Sequence, residues 1–177
     1  MALSIDGTGN GTIGNLSATT ETGNILSTAS TVAPKVPVFR ARQLDSVAQL
    51  ISSGTNTKIL FATEDFDTAS FYDPSTSRFT PTVAGKYFIY ATVNGGSDSN
   101  NDINDLRCYL YKNGSSVTLN DNAPNTNFRR MGLNVYASLD MNGSTDYVEI
   151  YFLSNISSGQ ARYESGGRFG AYRIGVE

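Results

Sequence analysis

A strand that is apolar on both faces must be covered on both, and this chain carries one at residues 86–93. The run Lys86-Tyr87-Phe88-Ile89-Tyr90-Ala91-Thr92-Val93 is rich in the aromatic and β-branched residues that suit a pleated surface. Side chains alternate along a strand, so Tyr87, Ile89 and Ala91 face one way and Phe88, Tyr90 and Thr92 the other. One side meets the domain's own core, and the other needs a second surface such as a partner subunit. Turn chemistry leads into this strand. Tyr72-Asp73-Pro74-Ser75-Thr76-Ser77 has a Pro to pre-set φ, with Asp and Ser able to bond their own backbone. Pro81 lacks the N–H that a central ladder needs, and Gly85 releases the strand.

Other segments repeat the pattern at roughly ten-residue spacing with turn signals between them. Val38 to Leu44 reads as the first strand of the domain. Ser46 to Ile51 reads as a strand or one helical turn, too short for periodicity to separate. Thr57 to Ala62 is a strand with Ile59 and Phe61 on one face, and Glu64 to Ala69 is a loop or edge. Leu106 to Tyr111 alternates cleanly and closes on Asn113-Gly114, the pair favoured by type I′ hairpins. Met131, Leu133, Val135, Ala137 and Leu139 alternate with Gly132, Asn134, Tyr136 and Ser138, the mark of a half-buried strand. Tyr147 to Leu153 is another two-sided strand, and Phe169 to Val176 closes the sheet. The stretches 95–105, 120–127 and 154–167 are polar and read as exposed loops. An all-β sandwich or jelly roll is expected.

The spacing Tyr72-Asp73, Thr76, Phe79, Gly85, Tyr87 resembles the signature of the C1q/TNF-like domain, in which a Y-D-x-x-T-G-x-F turn precedes G-x-Y-x-F. Phe39 and Ala41 resemble the family's opening F-x-A strand, and Leu106 to Gly114 is similar to its strand ending in K-N-G. Leu139, Asp146 and Val148 stand near its L-x-x-G-D-x-V, and Phe169 with Ala171 occupies the closing F-x-G. Ser77 and Ala171 stand where the family has glycine, and Gly143 and Asp146 are not adjacent. The resemblance covers about residues 36–175. It implies a C1q/TNF-like jelly-roll β-sandwich over 36–177, assembled as a tight homotrimer with aromatic residues of one sheet lining the axis. Phe88, Tyr90, Tyr109, Tyr111 and Tyr151 are the candidate trimer-interface residues on that reading, with Tyr136 and Tyr147 sharing their alternation away from the aliphatic core. Clustered on one sheet, such rings make an apolar patch too large for a monomer to leave wet.

Residues 1–35 differ in kind. Gly-Asn recurs at Gly9-Asn10, Gly14-Asn15 and Gly23-Asn24 among small polar residues. Two echoing copies are too few for a solenoid. Alone, the segment cannot bury enough apolar surface to offset its ordering entropy. Its isolated apolar residues Ile5, Ile13, Leu16, Ile25 and Leu26 therefore read as pegs of an extended N-terminal arm that anchors on a partner surface. Pro34-Lys35-Val36-Pro37 is a stiff boundary to the domain, because each Pro restricts itself and its predecessor.

Composition removes several functions. Charged residues are 16% and the net charge is −3, without the basic stripe that neutralises phosphates, so no nucleic-acid partner is expected. Met1 to Asp6 has neither a basic nor an apolar region of signal-peptide type, so no export signal is expected. No apolar run approaches the ~20 residues of a membrane helix, so no membrane partner is expected. Histidine is absent, and with it the usual proton shuttle and commonest metal ligand. The single cysteine, Cys108, alternates with Leu106 and Leu110 and reads as an inert core thiol. No nucleophile elbow, phosphate loop or zinc helix occurs. The pairs Asp65/Asp67 and Asp102/Asp105 sit in polar stretches with nothing to raise a carboxyl pKa, unlike a glycosidase pair. Asp98, Asp102 and Asp105 do not have the spacing of a calcium loop. No catalytic residue, metal or cofactor is expected, and the chain reads as a non-enzyme.

Animal C1q-like proteins generally carry a signal peptide and often a collagen-like stalk. This sequence shows neither, only a Gly/Asn/Thr-rich arm. The resemblance and the arm together point to a bacteriophage virion component assembled in the host cytoplasm. The expected role is a structural one, as a trimeric capsid decoration (cement) protein whose arm binds the major capsid protein or another virion protein. The alternative is the receptor-binding head of a tail or head fibre, recognising a host surface glycan or protein through loops 95–105, 120–127 and 154–167.

Overall fold

The structure, a computed structural model, describes residues 36–43, 48–98 and 102–175. The expected arm, with Ile5, Ile13, Leu16, Ile25 and Leu26, lies outside the described residues. Twelve strands occur among the described residues: β1 (Val38–Arg42), β2 (Gln49–Ile51), β3 (Thr57–Lys58), β4 (Thr63–Asp67), β5 (Tyr72–Asp73), β6 (Arg78–Phe79), β7 (Gly85–Ser97), β8 (Ile103–Lys112), β9 (Ser115–Asn122), β10 (Arg130–Met141), β11 (Val148–Ile156) and β12 (Ala161–Gly175). The first sheet runs β10-β7-β12-β1-β4, with β2 also on β12. The second runs β5-β6-β11-β8-β9, with β3 also on β11. Every pairing is antiparallel. The result is a two-sheet, all-β jelly-roll sandwich.

Period-two alternation accounts for the core. On β7, Tyr87, Ile89, Ala91 and Val93 are buried, while Phe88 and Tyr90 stay half-exposed on the other face. β8 sends in Leu106, Cys108 and Leu110, and β11 sends in Val148, Ile150 and Phe152. Rings fill one end. Phe39 stacks on Tyr72 and Phe79 at centroid distances of 4.8 and 4.6 Å and meets Phe169 edge-on at 5.0 Å. Offset and edge-on pairs of this kind add about 0.5–1.5 kcal/mol each beyond area burial.

Local turn chemistry behaves as its residues dictate. Asn113 and Gly114 take φ of 53° and 78°, as a type I′ hairpin requires. Ser77, at the family's glycine position, also takes a left-handed φ of 51°. Its buried Oγ accepts the Phe61 backbone N–H at 2.9 Å, an anchor that glycine lacks. Gly143, at φ 69°, lies so close to the Ala84 backbone nitrogen that a Cβ would collide with it.

Several expected boundaries move. The stretch 95–105 is not one exposed loop: β7 continues through Ser97 and β8 starts at Ile103. Gly95 and Gly96 are buried, and a Cβ on Gly95 would come within 2.5 Å of Phe152 Cζ. Those polar residues tolerate strand structure because β10 and β12 satisfy their backbones from both sides. Likewise 154–167 is mostly strand, with a turn only between β11 and β12, and 120–122 belongs to β9. Of Thr57 to Ala62 only Thr57–Lys58 is strand, although Ile59 still donates to Ile150 O at 2.9 Å and both Ile59 and Phe61 are buried. Gln49–Ile51 is strand rather than a helical turn, and Thr63–Asp67 is an edge strand.

Candidate functional site

The first sheet's outward face carries an aromatic patch set by strand register. Tyr136 on β10 pairs with Tyr90 on β7, which pairs with Gly170 on β12, then Arg40 on β1 and Phe66 on β4. Two residues along, Ser138, Phe88, Tyr172 and Val38 form the next row. Phe88 is the hub, with centroids 6.3 Å from Tyr90, 6.2 Å from Tyr136 and 5.4 Å from Tyr172. Gly170 permits this layout: a Cβ there would meet the Tyr90 hydroxyl at 2.5 Å, so the ring lies across the bare backbone. Burial under these neighbours pushes the Tyr90 hydroxyl pKa up. Tyr136 remains 65% exposed and Tyr172 40%. Ile174 and Phe66 add exposed apolar surface to the same sheet. Beside the rings, Arg40 lies 5.2 Å over Phe66 and, with Arg42, pairs with Asp65 at 2.9 and 2.8 Å.

The five interface candidates do not share one surface. Phe88 and Tyr90 belong to this patch, whereas Tyr109 and Tyr111 on β8 and Tyr151 on β11 lie on the outward face of the second sheet. Alternation identifies which residues point away from the core, but not which sheet a strand joins. No single axial surface takes all five.

On the second sheet Tyr111 and Tyr151 pack at 4.4 Å, and Tyr109 meets Tyr111 edge-on at 6.1 Å. Asn56 Nδ2 donates to the Tyr111 hydroxyl at 2.7 Å. Beside them, Glu149 is 3% exposed. Its Oε1 accepts from Lys58 Nζ at 3.1 Å and from Arg78 Nε and Nη2 at 3.1 and 2.9 Å. The Arg78 guanidinium also covers the Tyr147 ring at 3.8 Å. Sequence reading missed Glu149, Lys58 and Arg78, which lie far apart in the chain and carry no shared motif. Tyr172 escaped it too, although its alternation with Ala171 was visible.

The other singled-out groups have structural partners. Desolvation works to raise the Asp65 carboxyl, but hydrogen bonds from Arg42 and Arg40 outweigh it and hold the group below the ordinary 3.8. Asp67 accepts the Ala69 and Tyr72 backbone N–H groups at 3.0 and 2.7 Å. Asp102 accepts from the Ser158 hydroxyl at 2.9 Å, and Asp105 from Asn155 at 2.9 Å and Arg107 at 3.1 Å. Cys108 is fully buried, and burial pushes its thiol pKa far up. A polar depression of about 350 Å³ lies against the ends of β7, β10 and β12, where Glu164 stands 3.3 Å from Arg130 and 3.1 Å from Arg162.

No family sequence model matches the chain, and no curated protein matches it in sequence. Solved structures do match it in fold. The globular domain of zebrafish complement 1qA protein is 19% identical, with a TM-score of 0.58 over 81% of this chain and 100% of that one. An Eiger TNF from S. frugiperda is 9% identical, with a TM-score of 0.61 over 80% of this chain and 94% of its own. Murine APRIL, crystallised at pH 5.0, is 9% identical, with a TM-score of 0.58 over 79% and 100%. At such identities the likeness concerns the fold, and the fold is the C1q/TNF-like jelly roll.

Proposed function

We propose that this C1q/TNF-like jelly roll is a non-enzymatic virion structural protein acting as a homotrimer: a capsid decoration (cement) protein of a bacteriophage. The observation that carries the trimer is the four-ring patch of Phe88, Tyr90, Tyr136 and Tyr172 on the first sheet's outward face. A contiguous apolar patch of this kind marks an interaction surface. Aromatic residues are the side chains most enriched at the energetic centre of interfaces. Three-fold closure joins two different surfaces of each copy. The exposed Val117 and Leu119 on edge strand β9 supply a second apolar surface for the neighbour's patch. The interface set then becomes Phe88, Tyr90, Tyr136 and Tyr172, with Tyr109, Tyr111 and Tyr151 left outside it.

The mechanism is mechanical. A rigid trimer presents three arms, each binding weakly through Ile5, Ile13, Leu16, Ile25 and Leu26 to the major capsid protein or another virion protein. Linked contacts add through high effective concentration. The test is co-sedimentation of the full chain and a Δ1–35 variant with undecorated phage capsids, with mass read by light scattering. Near-stoichiometric binding of the full chain alone supports arm-anchored decoration. Equal binding by the truncated trimer refutes the anchor. The receptor-binding head is the second reading, and the ring cluster on the second sheet favours it.

A further inference from the structure

We propose that the second sheet's outward face is a carbohydrate-binding surface for acidic glycans, built on Tyr111, Tyr151 and Tyr147 with Arg78 and Lys58, around the buried carboxylate of Glu149. It deepens the receptor-binding reading and needs neither the capsid nor the arm.

Register assembles the site from four strands. Tyr151 on β11 pairs with Lys58 on β3 at one side and Tyr109 on β8 at the other. Glu149, two residues earlier on β11, pairs with Tyr111. Arg78 reaches Glu149 from β6. A carboxylate this buried is costly unless paired, and here two cations converge on the same oxygen. Glu149 thereby fixes the long Lys58 and Arg78 side chains against the sheet, and Tyr147 supports the Arg78 guanidinium from its face. Ordering that a ligand would otherwise have to impose is already in place, which is the condition for a usable site.

The chemistry of the face selects its ligand. Half-buried tyrosines offer rigid ring surface at low entropy cost, with a hydroxyl at the tip. Rings stack against the C–H faces of pyranoses, while the hydroxyls and the Asn56 amide meet sugar hydroxyls. Two cations meet one carboxylate at Glu149, and Asp73, the cross-strand partner of Arg78, turns its own carboxylate to Ser75 and Thr76, on a chain of net charge −3. A guanidinium fork matches a carboxylate bidentately. The nearby Lys112 and Asp146, 2.8 Å apart, neutralise each other and leave that balance unchanged. A polyphosphate chain fits poorly, because two cations on an acidic protein cannot supply the counterion release that nucleic-acid binding draws on. A uronic-acid sugar needs only one cation per carboxylate. Assembly through the first sheet and the β9 edge leaves Tyr151, Lys58 and Arg78, which lie across β8 from β9, uncovered, so three sites act together.

The experiment titrates full-length protein with an oligogalacturonate and, in parallel, an uncharged malto-oligosaccharide. Isothermal titration calorimetry and intrinsic tyrosine fluorescence are read, the latter without interference because the chain has no tryptophan. Oligogalacturonate binding that weakens with salt is expected. Tyr151→Ala and Arg78→Gln should each lower affinity about tenfold or more, with Leu50→Ala, exposed on β2 of the other sheet, leaving affinity unchanged. Circular dichroism reports whether each variant folds, and Tyr109→Ala, at the rim of the cluster, serves if Tyr151→Ala does not. The proposal is overturned if neither sugar binds at millimolar concentration, if the neutral sugar binds as tightly, or if folded ring and arginine variants bind like the parent. Light scattering on the same samples reads assembly independently, so a monomer that binds acidic sugar supports this site while refuting the trimer.

Discussion

Removing one exposed ring should dissolve the proposed trimer while leaving the fold intact. Burying an aromatic side chain removes roughly 150–250 Å² from water. Tyr136 retains 65% of its surface, so about 130 Å² remains for a neighbour to cover. At about 25 cal/mol per Å² this is about 3 kcal/mol, and about 2 kcal/mol once the hydroxyl end is discounted. A closed trimer contains the contact three times, so Tyr136→Ala should weaken it by about 6 kcal/mol, or about four decades in the association constant. Within the monomer the ring gives up the roughly 70 Å² already buried, about 2 kcal/mol, and its packing on Phe88 at 6.2 Å, worth about 0.5–1.5 kcal/mol more. The assay is a sedimentation-velocity dilution series on the parent, Tyr136→Ala and Tyr111→Ala, with thermal melts alongside. The expected result is a parent trimer, a folded Tyr136→Ala monomer whose domain melts roughly 5–10 °C lower, and a Tyr111→Ala trimer. A Tyr136→Ala trimer that persists to the parent's dilution limit refutes the assignment, as does dissociation by Tyr111→Ala.

Four further outcomes follow from the geometry. Ser77→Ala keeps the left-handed backbone but strips the Phe61 N–H of its acceptor, costing about 1–3 kcal/mol. Ser77→Gly loses the same bond yet relieves about 1 kcal/mol of strain, so urea melts should rank it above Ser77→Ala, and the reverse order would sink the argument. Gly143→Ala combines a positive φ with a collision against Ala84 and should destabilise by more than about 1 kcal/mol; a neutral melt would contradict the turn geometry. Hydrogen bonds from Lys112 and then Asn113 hold the Asp146 carboxyl below 3.8, and hydrogen bonds from Ser75 and Thr76 hold Asp73 near about 2. Because folded values are depressed, this stability is fully present above the ordinary 3.8 and is lost as pH falls through the folded values. Melts from pH 5 to pH 2 should therefore decline, with Asp146→Asn flattening part of the slope. Finally, Cys108 should react with a thiol reagent only at the rate of global unfolding, and rapid labelling of the native protein would place it elsewhere.

Much of the fold was legible in the chain because it is written in period two. The alternation of β7, β8, β10 and β11 names the buried residues, and Asn113-Gly114 names its hairpin, since both depend on neighbours only a few residues apart. Polar strand ends such as Gly95 to Ser97 and Ala161 to Tyr163 were not legible. Their strand structure is imposed by hydrogen-bonding partners on both sides rather than by their own propensity. The candidate surfaces divide in the same way. That Phe88, Tyr90, Tyr109, Tyr111 and Tyr151 point outward is a property of each strand alone. That two of them join Tyr136 and Tyr172, while three gather beside Glu149, Lys58 and Arg78, depends on which strands share a sheet. Alternation fixes a side chain's face relative to its own backbone. Only long-range strand pairing, set by the closing of the sandwich, decides which faces become one surface.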